Sequence, residues 1–188
     1  MKKSIVKMKL QSRVDFVQTL EEIDFHFSEV YWQHDRIFVP RKYDREKSLP
    51  RLSLRTIVRK PEKDAIYALV MRRHNSEGNY DVVNSTQVKD YAEAAHILYQ
   101  LGYELKYEVS RHREELDMGE TIKIYIDKID GLQGYYARIE SDLSDGDDPE
   151  EARNDLIETF RVLHVKGEPV TQTYGELLES SAHDTVAG

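Results

Sequence analysis

The stretch IDKIDGLQGYYARIES, residues 126–141, decides the fold. Its two halves are rich in aromatic and β-branched residues and meet at Gly131 and Gly134, which is typical of two strands joined by a turn. Side chains of a strand alternate between its two faces, so Arg138 and Glu140 point the same way. A cation and an anion that share one strand face contact either water or a polar site.

Basic side chains recur on several other predicted strands, often at alternate positions. They are Lys7, Lys9, Arg51, Arg55, Arg72, Arg111, Arg113 and Arg138. Two arrangements explain this pattern. In the first, an antiparallel sheet packs one face on helices and exposes its basic face to water. In the second, the strands close into a barrel with a polar interior, and an anion must then compensate the buried charge. Phosphate suits both Arg and Lys.

The hydrophobic pattern predicts a mainly β, α+β protein with about eight antiparallel strands and two or three helices. The predicted strands cover residues 4–11, 26–40, 51–59, 65–73, 80–86, 103–116, 121–129 and 134–141. Two turn-like segments separate some of them, a charged loop over residues 41–50 and the turn KPEKD over residues 60–64.

Three segments have helical periodicity. The first is residues 13–22, with Ser12 as N-cap and an apolar stripe that begins at Val14. The second is residues 86–102, whose stripe begins at Val88 and whose last residue is a glycine stop. The third begins at Pro149 after the capping residue Asp148, and its stripe is Ala152, Leu156, Phe160 and Leu163.

The composition limits the classes of protein to which the chain can belong. Its 188 residues with 39% hydrophobic content predict one soluble domain, with a disordered tail over residues 180–188. The net charge of −8 argues against general binding to nucleic acid or anionic membranes. With no transmembrane run and no signal-peptide core after Met-Lys-Lys, we expect a cytoplasmic protein. The lack of cysteine excludes disulfides and Cys-ligated zinc.

The histidines predict no catalytic or metal centre. None of the seven has the spacing of a metal-binding helix motif such as H-E-x-x-H. His34 and Asp35 are neighbours on a predicted strand, so we expect them to point apart. His112 is expected to face away from Arg111 and Arg113 for the same reason. There is also no glycine-rich phosphate loop before a helix and no G-x-S-x-G motif.

Several segments, in this order, resemble the CYTH family, which includes class IV adenylate cyclases and thiamine triphosphatases. The resemblance runs from about residue 5 to residue 178 and is strongest in VSRHREEL, in IDKIDGLQGYYARIES and in the closing TYGELL. The first segment resembles the family's K-x-R strand, with Arg111 in the Lys position and Arg113 in the Arg position. Further matching positions are Gln33, Asp35, Arg55, Asp127, Gly131, Leu132, Gly134, Tyr136 and Glu140.

The resemblance implies a triphosphate-tunnel domain over residues 1–179, an eight-stranded antiparallel closed barrel with peripheral helices. In such a tunnel basic residues hold the phosphates and acidic residues hold Mg²⁺ or Mn²⁺. The phosphate clamps it implies here are Arg55, Arg72, Arg111 and Arg113, with Arg51 further along the same face as Arg55.

The departures from the family pattern fall on its metal-binding acids. The family's first strand carries E-x-E-x-K, but here Lys7 and Lys9 occupy the acidic positions, or Ile5 and Lys7 in a register shifted by two. In the late strand the E-x-E pair is represented by Arg138 and Glu140. Asp127 and Glu140 remain as candidate metal ligands, which predicts either no cofactor or a single Mg²⁺ or Mn²⁺.

The expected function is therefore the binding of a nucleotide or other polyphosphate, with metal-dependent catalysis diverged or lost. Lys7, Lys9 and Arg138 would then supply the charge that a metal ion supplies in the family. Drift after loss of function is the alternative origin of these replacements. Two other functions stay open: an active adenylate cyclase or triphosphatase, and a non-catalytic scaffold or regulatory module. The sequence indicates neither the ligand nor the oligomeric state.

Overall fold

The computed structural model describes residues 1–41, 50–59, 64–76 and 79–186, with side chains to residue 182. Most of the predicted charged loop and of the KPEKD turn therefore lies outside the described residues. The strands are β1 Lys2–Leu10, β2 Glu29–Pro40, β3 Arg51–Val58, β4 Ile66–Asn75, β5 Tyr80–Gln87, β6 Tyr103–Met118, β7 Ile122–Ile129, β8 Tyr135–Leu143 and β9 Gly167–Pro169.

Eight of these strands form a closed antiparallel barrel in the order β5-β4-β3-β2-β6-β7-β8-β1. The barrel closes where β1 pairs with β5, through Lys2 opposite Val82 and Lys3 opposite Asp81. The short strand β9 pairs with the far end of β1, next to Met8. The predicted barrel is thus confirmed, and the open sheet with a solvated basic face is wrong.

Four helices lie within the described residues: α1 Arg13–Glu21, α2 Tyr91–Gln100, α3 Pro149–Val162 and α4 Tyr174–Val186. Their starts follow local capping chemistry. The Ser12 hydroxyl accepts a hydrogen bond from the backbone N–H of Asp15 at 3.2 Å, and the Asp148 carboxylate accepts one from the N–H of Glu150 at 2.8 Å. No helix of this part of the chain is long and apolar enough to span a membrane.

Two details of the predicted helices are wrong. Of the stripe predicted for α1, Val14, Val17 and Leu20, the residue Leu20 is buried and Val17 packs against the core, but Val14 is 67% exposed. Phe16, four residues before Leu20, is buried instead. Val88 precedes α2, which begins after its cap Asp90. The reason is that the N–H of Val88 donates to the carbonyl of Tyr67 at 3.0 Å, which continues the β4–β5 ladder by one residue.

Helix α4 continues to Val186 and so covers most of the segment predicted as a disordered tail, residues 180–188. Leu177 and Leu178 anchor this helix in an apolar cluster at one end of the barrel. A helix that is nucleated by such packing extends further at little cost per residue. The hydroxyl of Ser180 adds a hydrogen bond to the carbonyl of Glu176 at 2.9 Å.

The apolar cores lie mainly on the outside of the barrel and under the helices. One core joins the outer faces of β1, β6, β7 and β8 to α1 and α3, and a second joins β2 and β3 to α2. A third lies at the end of the barrel near α4. The barrel interior is left to polar and charged side chains, and those that are buried are Lys3, Gln33, Asp35, Arg111, Arg113, Asp127, Arg138 and Glu140.

Candidate functional site

The alternation of strand side chains delivers the site residues to the interior. Arg111 and Arg113 are buried on β6, while His112 between them is exposed, as predicted. Asp35 is likewise buried on β2. Its neighbour His34 lies on the outer face, where its Nδ1 is 2.7 Å from the hydroxyl of Ser110. An acid–base pair of His34 and Asp35 is thereby excluded.

Asp35 neutralises two of the predicted clamps. The Arg55 Nε donates to one oxygen of Asp35 at 2.7 Å, and Arg111 donates to the other oxygen. Gln33 donates to the same carboxylate at 2.7 Å. Burial alone would raise the pKa of Asp35, but Arg55 and Arg111 hold it well below its usual range.

Asp127 neutralises a third predicted clamp. It is fully buried and accepts two hydrogen bonds from Arg113, at 2.6 and 2.7 Å. The hydroxyl of Tyr174 donates to it at 2.9 Å, and a nitrogen of Arg111 lies 3.9 Å away. Burial opposes the charged form, yet Arg113 outweighs it and lowers the pKa of Asp127. Charge-assisted hydrogen bonds of such a bidentate pair are stronger than those between neutral groups.

Glu140 is shared by three donors. Arg138, two residues earlier on β8, donates to one of its oxygens. Lys3 and the hydroxyl of Tyr125 both donate to the other, each at 3.0 Å. Although burial would raise the pKa of Glu140, Arg138 and Lys3 hold it well below its usual range. The cation and the anion that share one face of β8 therefore form an interior ion pair.

Lys7 lies directly opposite Arg138 on the neighbouring strands β1 and β8. Its ammonium donates to the backbone carbonyl of Gln172, just before α4, and lies 5.3 Å from the centre of the Tyr174 ring. Burial, followed by the charges of Arg138 and Arg72, lowers the pKa of Lys7 to about 8. The cations Arg138 and Arg72 each act on Lys7 more strongly than the acids Glu176 and Asp81 do.

Arg72 is on β4, which is separated from β1 only by β5. Its ion-pair partner is Asp81, at a long 3.6 Å. Burial and the charge of Arg138 lower the pKa of Arg72 to about 10. Arg51 lies opposite Arg72 in the register of β3 and β4 and is partly buried. Lys9 is exposed near the end of β1, so the structure does not bring it into this group.

The carboxylates that remain do not fit a divalent-metal site. Mg²⁺ and Mn²⁺ require several free oxygen ligands. Asp127 and Glu140, the two predicted ligands, are engaged by Arg113 and by Arg138 with Lys3. Within the described ranges, no three His, Asp or Glu residues are grouped so that they could hold an ion. We therefore derive no chemistry through a metal.

Sequence reasoning does not identify Lys3 and Asp35 as site residues. A signal for each is nonetheless in the sequence. Lys3 is four residues before Lys7 on the same strand, so both face the interior. Asp35 is a matching position in the CYTH resemblance and lies two residues after Gln33, so both face the same side of β2. The arginines that pair with Asp35 are on β3 and β6, at positions distant in sequence.

Comparison with known proteins identifies solved structures with this fold. No protein-family model and no curated protein matches the chain. A protein from Pyrococcus horikoshii is 21% identical, covers 94% of this chain and 98% of its own, and superposes with a TM-score of 0.79. A candidate adenylate cyclase from Vibrio parahaemolyticus is 19% identical, with coverages of 94% and 97% and a TM-score of 0.77.

A third solved structure is a candidate adenylyl cyclase from Hippeastrum with a dominant triphosphatase activity. It is 12% identical, covers 96% of each chain and has a TM-score of 0.60. At these identities the likeness concerns the fold, which these proteins share with this chain over nearly its whole length. The barrel that the CYTH resemblance implies is therefore confirmed.

Proposed function

We propose that this chain is a diverged CYTH-type protein that binds a nucleotide or other polyphosphate inside its barrel without a resident divalent metal. The observation that carries the proposal is an excess of positive charge in the interior. The pKa values of Lys7 and Arg72 are lowered by burial and by neighbouring cations. Such charges are costly unless an anion neutralises them.

The structural neighbours favour a polyphosphate over other anions. Two are candidate adenylate cyclases, and one of these has a dominant triphosphatase activity. Phosphate groups also suit the interior chemically, because guanidinium groups match two phosphate oxygens and an ammonium group supplies a point charge. The carboxylates of Asp127 and Glu140 are engaged by Arg113 and Arg138, which supports binding without a metal.

The triphosphatase activity of the Hippeastrum neighbour also favours a second candidate function, an active triphosphatase or cyclase. Such an enzyme would have to hold the reacting phosphates in line and stabilise the charge that develops on them. Interior cations can supply part of that stabilisation. The fold therefore admits turnover, which has to be measured alongside binding.

We expect tripolyphosphate to raise the melting temperature of the protein in EDTA as well as in Mg²⁺ or Mn²⁺. At a ligand concentration 100 times the dissociation constant, linkage stabilises the folded state by about 2.7 kcal/mol. For a chain of this size this corresponds to a shift of about 5–10 °C. ATP and thiamine triphosphate are measured in parallel, and phosphate release and cyclic AMP are followed in the same samples.

The outcomes separate the candidate functions. A shift that persists in EDTA without turnover supports metal-free binding. Turnover that requires Mg²⁺ or Mn²⁺ contradicts it and identifies an enzyme. The absence of a shift with any of the three phosphates contradicts the anion-binding proposal and leaves a scaffold or regulatory module.

The affinity for tripolyphosphate is expected to fall by roughly tenfold as the pH rises from 7.5 to 9.5. The reason is that Lys7, with a pKa of about 8 in the folded protein, loses its charge in this window. The ligand-free protein should respond in the opposite direction. An unfolded chain keeps the Lys7 proton up to its ordinary pKa of 10.5, so this residue makes the folded state more stable as the pH rises above 8.

Calorimetric titrations at several pH values measure this dependence, with Lys7→Arg as the matched control. Arginine stays charged throughout the window, so the variant should lose the Lys7 part of the pH dependence. Equal pH profiles for the two proteins would show that Lys7 is not the titrating group.

A further inference from the structure

The interior cations form two groups that differ in how they are neutralised. Arg55, Arg111 and Arg113 are the first group, which we call the strapped arginines. Each of them donates to a buried carboxylate, either Asp35 or Asp127. Both carboxylates are at least 95% buried, and each binds one arginine through a short contact of 2.6–2.7 Å. A ligand phosphate would have to compete with these internal anions.

Lys7, Arg72 and Arg138 are the second group, which we call the open cations. Lys7 donates to a backbone carbonyl and Arg72 lies 3.6 Å from Asp81. Arg138 pairs with Glu140, an acid that it shares with Lys3. Their neighbours include one another, since the charges of Arg138 and Arg72 act on Lys7 and the charge of Arg138 acts on Arg72. They come from three strands, β1, β4 and β8, with Lys7 and Arg138 directly opposite in register. They therefore converge on one region of the barrel interior.

The carboxylates near the open cations are weakly placed or shared. Asp81 is 3.6 Å from Arg72 and also contacts His74 at 2.9 Å. Glu140 is shared between Arg138, Lys3 and the hydroxyl of Tyr125. Glu176, another acid whose charge acts on Lys7, accepts hydrogen bonds from the backbone N–H and the hydroxyl of Thr173 at 2.7 and 2.8 Å. Lys7 and Arg72 are therefore the least compensated cations of this group.

Arg138 also carries a buried donor without a partner. The side chain is 8% exposed, and its Nε makes no hydrogen bond with the described residues. Arg111 of the strapped group also has one such donor, its Nε, and its guanidinium carbon lies 5.3 Å from the centre of the Tyr174 ring. A buried N–H without an acceptor is rare in folded proteins and destabilises the fold unless a ligand or water supplies the oxygen.

We infer that the anion seat of the barrel is formed by the open cations Lys7, Arg72 and Arg138, and that it takes a terminal phosphoryl group. This inference rests on the proposed function and deepens it. A terminal phosphoryl group carries up to two negative charges and three oxygens, which matches three cations converging from three strands. An internal phosphoryl group of a polyphosphate has one charge and two free oxygens. The strapped arginines instead hold the barrel wall together.

Two residues of the anion seat, on β1 and β8, stand at positions where the CYTH resemblance expects acidic metal ligands. Position 7 carries lysine and position 138 carries arginine. Replacing acids by bases there removes the metal ligands and creates the anion seat in the same step. The phosphoryl group contacts protein cations directly, without a bridging ion.

Two measurements test this in EDTA by calorimetric titration. Tripolyphosphate and trimetaphosphate both contain three phosphates, but the cyclic trimetaphosphate has no terminal group. We expect tripolyphosphate to bind at least 10 times more tightly to the wild-type protein. We also expect Lys7→Met and Arg72→Met to weaken tripolyphosphate binding by at least 30-fold, and Arg55→Gln by less than threefold.

The melting temperature of each ligand-free variant shows whether weaker binding is caused by a folding defect. Because Lys7 is destabilised by burial and by cationic neighbours, Lys7→Met should keep or raise the melting temperature of the ligand-free protein. Arg55→Gln should lower it, because it removes a partner of the buried Asp35. Arg161→Met, on an exposed side chain of α3, should change neither property.

The possible results distinguish the inference from the proposed function. If the wild-type protein binds neither phosphate, the proposed function fails and the inference fails with it. If it binds tripolyphosphate but Arg55→Gln weakens binding as much as Lys7→Met, the seat is at the strapped arginines and only the inference is overturned. Equal affinity for trimetaphosphate overturns the assignment to a terminal phosphoryl group.

Discussion

Replacing Asp127 by asparagine is expected to destabilise the folded protein by about 3–5 kcal/mol, the usual cost of breaking a buried ion pair by removing one partner. Asp127 is fully buried and accepts both hydrogen bonds of Arg113 and one from Tyr174. An amide keeps the shape of the carboxylate but not its charge. Arg113, itself 5% exposed, would remain as a buried cation.

Urea unfolding monitored by circular dichroism measures this loss, with Asp117→Asn as the matched control. Asp117 is a carboxylate on the same strand as Arg113, but it is 58% exposed and pairs with Lys123 at 2.6 Å. An exposed ion pair contributes about 0–1 kcal/mol. If the two variants lose similar stability, Asp127 is not the structural anion that the geometry indicates.

The ion pair of Asp127 with Arg113 also determines the direction in which the stability of the folded protein changes with pH. Burial would raise the pKa of Asp127, but Arg113 lowers it below the value of the unfolded chain. A depressed pKa stabilises the folded protein above the pKa of the unfolded chain, and this contribution is lost as the pH falls through the folded value. The wild-type protein should therefore lose in acid a stabilisation that Asp127→Asn already lacks.

The β architecture is predictable because it depends on local patterns. Alternation within β6 places Arg111 and Arg113 inside and His112 outside, and it needs no knowledge of other strands. Helix starts at Ser12 and Asp148 follow from side chains that cap the adjacent N–H groups. The closure of the barrel is different, since β1 meets β5 through two residue pairs about 80 positions apart in sequence. A closed barrel and an open sheet have the same strand patterns.

The candidate site is only partly predictable for the same reason. Sequence shows which side chains face inward, but not which of them pair across the barrel. Asp35 on β2 contacts Arg55 and Arg111 because β3 and β6 flank β2 in the sheet. That adjacency divides the basic residues into strapped arginines and open cations. From the sequence, the expected division is a different one: Arg55, Arg72, Arg111 and Arg113 as phosphate clamps, and Lys7, Lys9 and Arg138 in place of the charge of a metal ion.

The reversed charge in Arg138→Glu should abolish tripolyphosphate binding in EDTA, with a loss of at least about 100-fold. Two unit charges near 5 Å apart interact by about 3 kcal/mol at the effective dielectric constant of partly buried sites. The substitution replaces an attraction of this size by a repulsion, and 100-fold corresponds to about 2.7 kcal/mol. The substitution also removes the buried Nε of Arg138, which has no hydrogen-bond partner in the described structure.

The neutral variant Arg138→Met provides the graded control, because it removes the attraction without adding a repulsion. Its expected loss is at least about 30-fold, as for Lys7→Met and Arg72→Met, and smaller than that of Arg138→Glu. Retained binding in Arg138→Glu would contradict a cationic role for this position.

Mn²⁺ then tests the origin of the site. Glutamate at position 138 would stand two residues from Glu140 on the same strand face, the spacing of the acidic pair expected from the CYTH resemblance. If Mn²⁺ raises the melting temperature of Arg138→Glu and restores tripolyphosphate binding, while having neither effect on Arg138→Met, position 138 is a converted metal site. If Mn²⁺ has no effect on either variant, Arg138 acts as a cation that binds the phosphate. Lys7 occupies the other position where the CYTH resemblance expects an acid, which then explains why an acid at position 138 is not enough to bind the metal.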